Sequence, residues 1–393
     1  MISEDEARRT ILENVRPLPS RTVSLANATD CFSANDLFAK IPLPIFDNSA
    51  MDGYAVMASS CGLNVRLRVI GEQPAGLDRN LRVSAGEAAR IFTGAPMPAD
   101  ADAVVMQEDV SRDGDEIVLQ SKVEAGEFIR RRGCDLSEGQ KILAKGERIR
   151  PQTIALLASQ GIVDLAVGGE VRVAIISTGD ELIAPGETLQ AGQLYESNSL
   201  LLRALLEKSG ATVISTQHCR DDADKIEMAL REGAKADALV ISGGVSVGAR
   251  DYVKSALQSI GGEIDLWRVA IKPGKPFLFG RAGSCAIFGL PGNPVSAFVT
   301  FLVLVRPALL KMMGAADSEL APWKISALLN VDVRNDGDRQ HYLRGKLADG
   351  NFAPIGRQES HALFGLSQSN ALFSVAPGEK FSKGDRVSVL IWD

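Results

Sequence analysis

From Val171 onward, strand-like and helix-like segments alternate, and this constrains the fold more than any other feature of the chain. Val171–Ser177 is a buried-strand run, Ser199–Lys208 a helix, Thr212–Thr216 a strand, Asp222–Glu232 a helix and Ala238–Ser242 a strand. Asp251–Ile260 then reads as helix, Leu266–Ile271 as extended chain, Cys285–Leu290 as strand and Val295–Met313 as a long apolar helix. Strands separated by helices cross over and pair in parallel. The expected fold of this stretch is an α/β domain around a mainly parallel sheet.

The flanks follow other rules. Ser3 and Glu6 fit a capping box, and Ala7, Ile11, Leu12 and Val15 line one face of a first helix. Between Arg21 and Ile149 the runs are short and β-type (Leu67–Ile70, Ala103–Gln107, Glu116–Leu119), cut by Gly- and Pro-rich turns. This is a β-rich N-terminal module. Pro151 opens a helix over Gln152–Gln160 and Gly161 closes it. Composition shifts to a linker at Gly314–Ser318. The strand-like runs beyond it (Ile325–Val333, His341–Leu347, Arg386–Ile391) predict a C-terminal β-barrel-like domain or sandwich. A length of 393 residues accommodates these several domains.

The net charge of −6, with Arg130–Arg132 as the single tight cationic run, argues against nucleic-acid binding. Five cysteines without a CxxC pair argue against a disulfide framework or a zinc site. The three histidines (His218, His341, His361) lack metal-ligand spacing and read as structural. No apolar core follows the first residues, and the apolar run Ala297–Val305 is too short to span a bilayer and ends at Arg306. A cytoplasmic protein without a membrane segment is expected.

Three loops fall at the carboxyl ends of expected strands, the edge at which open α/β sheets bind ligands. Ser177-Thr178-Gly179-Asp180-Glu181 offers hydroxyls and two acids, suited to Mg²⁺ or a ligand hydroxyl, or to a capped turn. In Ser242-Gly243-Gly244-Val245-Ser246-Val247-Gly248, glycines let N–H groups converge on an anion. It is not a phosphate-binding P-loop, because no Gly-Lys-Ser/Thr follows. Lys272-Pro273-Gly274-Lys275-Pro276 sets two ammonium groups on a proline-stiffened loop, an oxyanion trap in outline. Gly289–Pro294 leads into Ser296 at a helix start, where free N–H groups favour an anion. In the β-rich module, Asp47–Asp52 packs two acids, an amide and a hydroxyl beside small residues, enough to hold a hydrated Mg²⁺ or form an Asx-turn. Thr93–Pro96 and Gly133-Cys134-Asp135 are further polar turns there.

Taken in order, FDNSAMDGYAV (46–56), IFTGAPMP (91–98), IRRRGCD (129–135), STGDEL (177–182), RDD (220–222), ISGGVSVGARDY (241–252), IKPGKPF (271–277) and GLPGNPVS (289–296) closely resemble the MoeA family of molybdenum insertases. Its eukaryotic relatives are the plant and gephyrin E domains. The resemblance covers nearly the whole chain and is looser at the C-terminal end.

The resemblance implies an elongated homodimer of four-domain chains. A discontinuous helical and linker domain would span 1–20 and 139–170, the β-rich module 21–138, the α/β molybdopterin-binding domain 171–314 and the C-terminal β domain 320–393. The composite active site would lie between the α/β domain of one subunit and the β module of the other. The implied reaction joins molybdate to the dithiolene of adenylylated molybdopterin, a substrate made by a MogA-type adenylyltransferase, and releases AMP with Mg²⁺ as cofactor. Thr93, Ser177, Thr178, Gly179, Asp180, Ser242, Gly243, Gly244, Ser246 and Gly248 would bind that substrate. Lys272 and Lys275, with Pro291, Pro294, Ser296, Arg344 and Ser360, would hold molybdate, a dianion whose desolvation fixed cations offset. Asp52, Asp135, Glu181, Asp221 and Asp251 would be catalytic, with Asp52, Glu181 and Asp221 as Mg²⁺ ligands. The other outcome is a non-catalytic scaffold of the gephyrin E type, since a fold does not fix an activity.

Overall fold

The computed structural model describes residues 1–245 and 252–392. The chain forms two compact units, residues 1–35 together with 144–393, and residues 36–143.

In the larger unit a six-stranded sheet runs in the order Thr212–Cys219, Arg172–Thr178, Ala238–Ser242, Cys285–Leu290, Leu278–Ala282, Glu263–Trp267. The first four strands are mutually parallel and the last two antiparallel. Strand periodicity sorts the side chains between two cores. Val173 and Ile175 face one core, with Leu202, Leu206 and the apolar side of Pro294–Met312. Ala174 and Ile176 face the other, with Ile226, Leu230 and Leu257. Helices therefore cover both faces of the sheet, as parallel strands require. Extended chain expected over Leu266–Ile271 is instead a strand ending at Trp267, and Leu278–Ala282 is a strand the sequence pattern did not reveal.

The Pro294–Met312 helix is 19 residues long, longer than the apolar run within it, and 89% of its most apolar 18-residue stretch is buried. It meets the length needed to cross a bilayer, but here it is the core helix. Its middle, Phe301–Val305, is π-helical, and the Val303 carbonyl accepts from Arg8 Nε (3.4 Å). The first helix, Glu4–Asn14, starts at Ser3, whose Oγ accepts the Glu6 N–H (3.2 Å), and buries Ala7 and Ile11 in the same core. Arg21–Ser24 pairs with Asp164–Val167 and ties the two ends of this unit's broken sequence together.

Beyond residue 320 the strands Gln340–Ala348, Asn351–Pro354, Lys324–Leu329, Arg386–Ile391 and Ala371–Val375 pair in that order, and the last pairs back on the first. The sheet closes into a small barrel around Leu329, Phe352, Phe373 and Val389. A sixth strand, Ile271–Lys272, leaves the α/β domain and pairs in parallel with Gln340–His341 on the barrel.

The smaller unit is built on a six-stranded sheet in the order Ala103–Met106, Gly53–Val56, Glu87–Ile91, Arg66–Gln73, Glu116–Leu119, Val110–Asp113. Tyr54, Val56, Leu67, Val105, Ile117 and Leu119 fill one face, and Ala55, Ile91 and Val104 the other.

Candidate functional site

The parallel strands end together, and their loops line a cleft of about 790 Å³. Thr178, Gly179 and Glu181 form one wall, Ser242, Gly243 and Gly244 the floor, and Pro291–Pro294 the opposite wall, with Asp221 nearby on the rim. The Asp221 N–H donates to Asp180 Oδ1 (3.2 Å), which joins the RDD turn to the STGDE loop.

The glycines are there for space. Gly243 and Gly244 have φ of +89° and +64°, and a Cβ on Gly243 would lie 2.7 Å from the Thr178 carbonyl oxygen. The Gly243 N–H donates to the Leu290 carbonyl (3.1 Å), fixing the turn against the neighbouring strand. Gly243→Ala combines a left-handed backbone with a backbone clash. It should cost about 1–3 kcal/mol of stability in urea denaturation. Gly292→Ala is the control, because its Cβ would meet nothing nearer than 3.7 Å and should be tolerated.

Asn198 is the residue of this site that the motifs did not contain. It is buried, and its Nδ2 donates both to Ser242 Oγ (2.8 Å) and to the Gly292 carbonyl (2.7 Å), bracing floor against wall. Its Oδ1 and the Thr178 hydroxyl are buried without a partner among the described residues. Such atoms are costly to leave unmet. Tyr195, Glu196 and His361 also line the cleft.

Of the residues expected to hold the oxyanion, Pro291 and Pro294 line this cleft, while Lys272, Lys275, Ser296, Arg344 and Ser360 are not among its lining residues. Lys272 and Lys275 are exposed, while Pro276 between them and the sheet lines the cleft. A Cβ at Gly274 would sit 2.6 Å from Thr300 Cγ2, so the loop presses on the helix that begins at Pro294 and carries buried Ser296. Ser360 is fastened to that helix start. Its Oγ accepts from Asn293 Nδ2 (2.9 Å) and its carbonyl from the Val295 N–H (3.1 Å). Arg344, on the barrel strand that also holds Lys272, is 1% exposed, donates through Nη2 to the Arg357 carbonyl, and among the described residues makes no hydrogen bond through Nε or Nη1. Burial pushes its pKa down, and the charge of Glu359 acts in the opposite direction. Ser177 is held in the strand, its Oγ 3.1 Å from His218 Nδ1. Ser246, Gly248 and Asp251 lie outside the described residues.

Burial pushes the His341 imidazole down to about 4, with the nearby Lys272 and Arg339 charges acting in the same direction. Between that value and the unfolded one near 6.5, the unfolded chain takes up a proton that the native chain refuses. Stability therefore falls as pH drops from about 6.5 toward 4. The effect is discounted because the ring is only partly buried. His341→Gln should lose less melting temperature than the parent on acidification, and Lys272→Ala should raise the imidazole's titration midpoint by NMR. An unchanged midpoint would mean that Lys272 points elsewhere.

In the smaller unit Asp52 stands at the start of Gly53–Val56. A Cβ on Gly53 would lie 1.9 Å from the Val105 carbonyl oxygen, so only glycine lets the strand close up behind the acid. Asp52 Oδ1 accepts the Thr93 N–H (2.7 Å) and hydroxyl (2.8 Å). These two bonds hold its carboxyl below the usual carboxylate range while it stays fully exposed. Asp47 is spent differently, accepting from Arg131 Nη1 and the Arg132 N–H (2.7 Å each). Asp135 is exposed, with its N–H bonded to the Leu43 carbonyl (3.0 Å).

A doubly covered α/β sheet with a glycine-floored cleft at its carboxyl edge defines a ligand-binding domain of the molybdopterin-binding class. Residues 174–311 match the family described as a probable molybdopterin binding domain. The flanks are equally specific: residues 2–161 match the MoeA N-terminal region (domain I and II) and residues 326–392 the MoeA C-terminal region (domain IV). The chain belongs to the MoeA family of molybdopterin molybdenumtransferases. It is 36% identical to the molybdopterin molybdenumtransferase of Haemophilus influenzae, over 99% of this chain and 98% of the relative. It is also 36% identical, over the full length of both chains, to molybdopterin molybdenumtransferase 2 of Mycobacterium tuberculosis. The crystal structure of the molybdopterin biosynthesis MoeA protein from Pyrococcus horikoshii OT3 superposes with a TM-score of 0.86 at 30% identity, covering 100% of each chain.

Proposed function

We propose that this enzyme transfers molybdate to the dithiolene of adenylylated molybdopterin, releasing AMP and giving molybdenum cofactor. The observation that carries the reading is the neighbourhood of two unlike subsites. One is a cleft with Glu181 and Asp221 over a glycine floor. The other holds buried Arg344, whose Nε and Nη1 make no hydrogen bond among the described residues, on the strand that anchors Lys272. A phosphoanhydride suits the first and a tetrahedral dianion the second.

Thr178, Gly179, Ser242, Gly243 and Gly244 bind the phosphorylated pterin in this reading, with Asp180 holding the RDD turn and Ser177 supporting the loop from below. Thr93 keeps Asp52 ionised and aimed. Pro291 and Pro294 shape the wall, and Lys272, Lys275, Ser296, Arg344 and Ser360 receive molybdate. Asp135 and Asp251 complete the acidic set.

Glu181 and Asp221 fit a hydrated Mg²⁺. A Cβ on Gly179 would stand 2.8 Å from the Glu181 carboxylate, so the acid folds over an open cradle. Among the described residues no group of three His, Cys, Asp or Glu is placed to hold a metal. That suits an ion that keeps its waters and takes one or two carboxylates, with Asp52 supplying a further one. Bound there, Mg²⁺ would neutralise charge on the phosphoanhydride.

A homodimer with composite sites is part of this reading, as the likeness to the MoeA family implies. A MogA-type adenylyltransferase would supply the substrate, in the cytoplasm. Within this reading the domains run 1–20 with 139–170, 21–138, 171–314 and 320–393.

The test is AMP release and cofactor formation from adenylylated molybdopterin and molybdate by the purified chain. Absence of both with intact fold would sink the proposal. For the dimer, mixed Asp52→Ala and Lys275→Ala chains should recover part of the activity that each lacks. No recovery in demonstrated heterodimers would mean that each site is built from one chain.

A further inference from the structure

We propose that Glu4 is a positioning residue for the lysine loop, tying the first helix to the barrel strand and the core helix between which Ile271–Lys272 is held. The inference rests on the reading above that Lys272 and Lys275 receive molybdate, and it names what sets their place. Glu4 Oε2 accepts the Tyr342 hydroxyl (2.6 Å), and Oε1 accepts from Arg8 Nη2. Arg8 Nε donates in turn to the Val303 carbonyl (3.4 Å), inside the π-helical stretch where the core helix changes its hydrogen-bond period. One carboxylate therefore joins three elements. Helix stability does not call for it. Asp5 and Glu6 also stand in the first turn, exposed, and answer the helix dipole without being desolvated. The Glu4 side chain is 11% exposed, and burial pushes its pKa up despite the Tyr342 and Arg8 contacts. Burying a carboxylate is unfavourable, so its position is explained by what it holds.

What it holds is the stem of the loop. The Ala270 N–H donates to the carbonyl of Ile2, two residues before Glu4 (2.8 Å), and the Ala270 carbonyl accepts the N–H of Gln340, two residues before Tyr342 (3.0 Å). Ile271 and Lys272 follow at once, in register with Gln340 and His341. The Glu4–Tyr342 bond thus fixes the spacing of the two chain segments that flank the stem. Within the loop, Gly274 presses on Thr300, the residue before the π-helical stretch that Arg8 engages. Packing alone does not set these distances, because Glu4, Arg8, Ala270, Val303, Gln340 and Tyr342 line a cavity of about 440 Å³. Across open space, hydrogen bonds fix the separation that van der Waals contact fixes elsewhere.

Tyr342→Phe is the cleaner test, since it keeps the ring in the core and removes the hydroxyl alone. Glu4→Ala removes both contacts, and Glu4→Gln keeps an acceptor for Tyr342. Two readouts on the full chain separate positioning from general support. One is amide hydrogen exchange across residues 269–277, and the other is calorimetric titration with molybdate, with Lys272→Ala as reference. Tyr342→Phe and Glu4→Ala should speed exchange in 269–277 while the central strand Ala238–Ser242 stays as protected as in the parent. Both should bind molybdate about two- to tenfold more weakly, the scale of one lost hydrogen bond, and Glu4→Gln should recover part of this. Parental exchange in 269–277, whatever the melting temperature, would make Glu4 a support of the helix and overturn the proposal. Exchange raised evenly along the chain would do the same. A third result is faster exchange at the loop with parental molybdate binding. If Lys272→Ala also binds as the parent does, Glu4 remains the positioning residue and the lysines lose molybdate. If Lys272→Ala is weakened, that result overturns the proposal.

Discussion

Replacing Asp52 with alanine should leave the protein folded and its molybdenum insertion reduced by at least about a hundredfold, the scale on which a preorganised charged group acts. The carboxylate is fully exposed and, among the described residues, accepts its hydrogen bonds from Thr93, which water can satisfy in its place. Nothing in the core depends on it, so the melting temperature should match the parent's. Asp47→Ala makes the contrast. That acid is tied to Arg131 and Arg132, and its loss should loosen the loop before it touches the chemistry. Cofactor formed per unit of folded protein decides the matter. An Asp52→Ala chain that works at the parental rate removes the acid from the reaction.

Lysines 272 and 275 should separate binding from chemistry. If they trap molybdate, alanine at either position removes a charge-assisted contact to a dianion, worth roughly 1.5–3 kcal/mol. Apparent molybdate affinity should then fall about ten- to a hundred-fold, and excess molybdate should restore much of the rate. AMP release without molybdate should change little. Arginine at Lys275 should substitute poorly, since a planar fork replaces a compact charge on a loop pressed against Thr300. Parental molybdate dependence in both variants would make the loop a structural turn. Loss of AMP release as complete as in Asp52→Ala would move the lysines to the phosphate step.

What could be read ahead of the structure follows the range of the interactions involved. Ala238–Ser242 was legible because a strand buried on both faces is apolar throughout. The Asp52 loop was legible because its small residues, Gly53 above all, are a local demand of the backbone. Leu278–Ala282 was not, since glycine and arginine interrupt its pattern and antiparallel neighbours on both sides define it. Barrel closure was equally hidden, because it depends on Gln340–Ala348 meeting Ala371–Val375. Asn198 escaped for the same reason: its two partners are 44 and 94 residues away. His361 faces the cleft only because Ser360 is pinned to a helix start 67 residues earlier in the chain. Spacing rules see a few turns of chain, and these residues acquire meaning from contacts far outside that window.

The pairing of Ile271–Lys272 with the barrel sets an order of events at the ribosome. The sheet, the glycine floor and the lysine loop are all synthesised before residue 300, yet the strand that anchors Lys272 comes from residues 340–341. That strand belongs to a barrel shut by Arg386–Ile391, which bonds to Lys324–Leu329 on one side and Ala371–Val375 on the other. A chain that stops short of Gln340–His341 thus holds the sheet and the glycine floor but lacks both the strand that pairs with Lys272 and the His361 side of the cleft. The lysine loop therefore answers to the barrel as well as to the sheet that carries it, and a change in one is felt in the other.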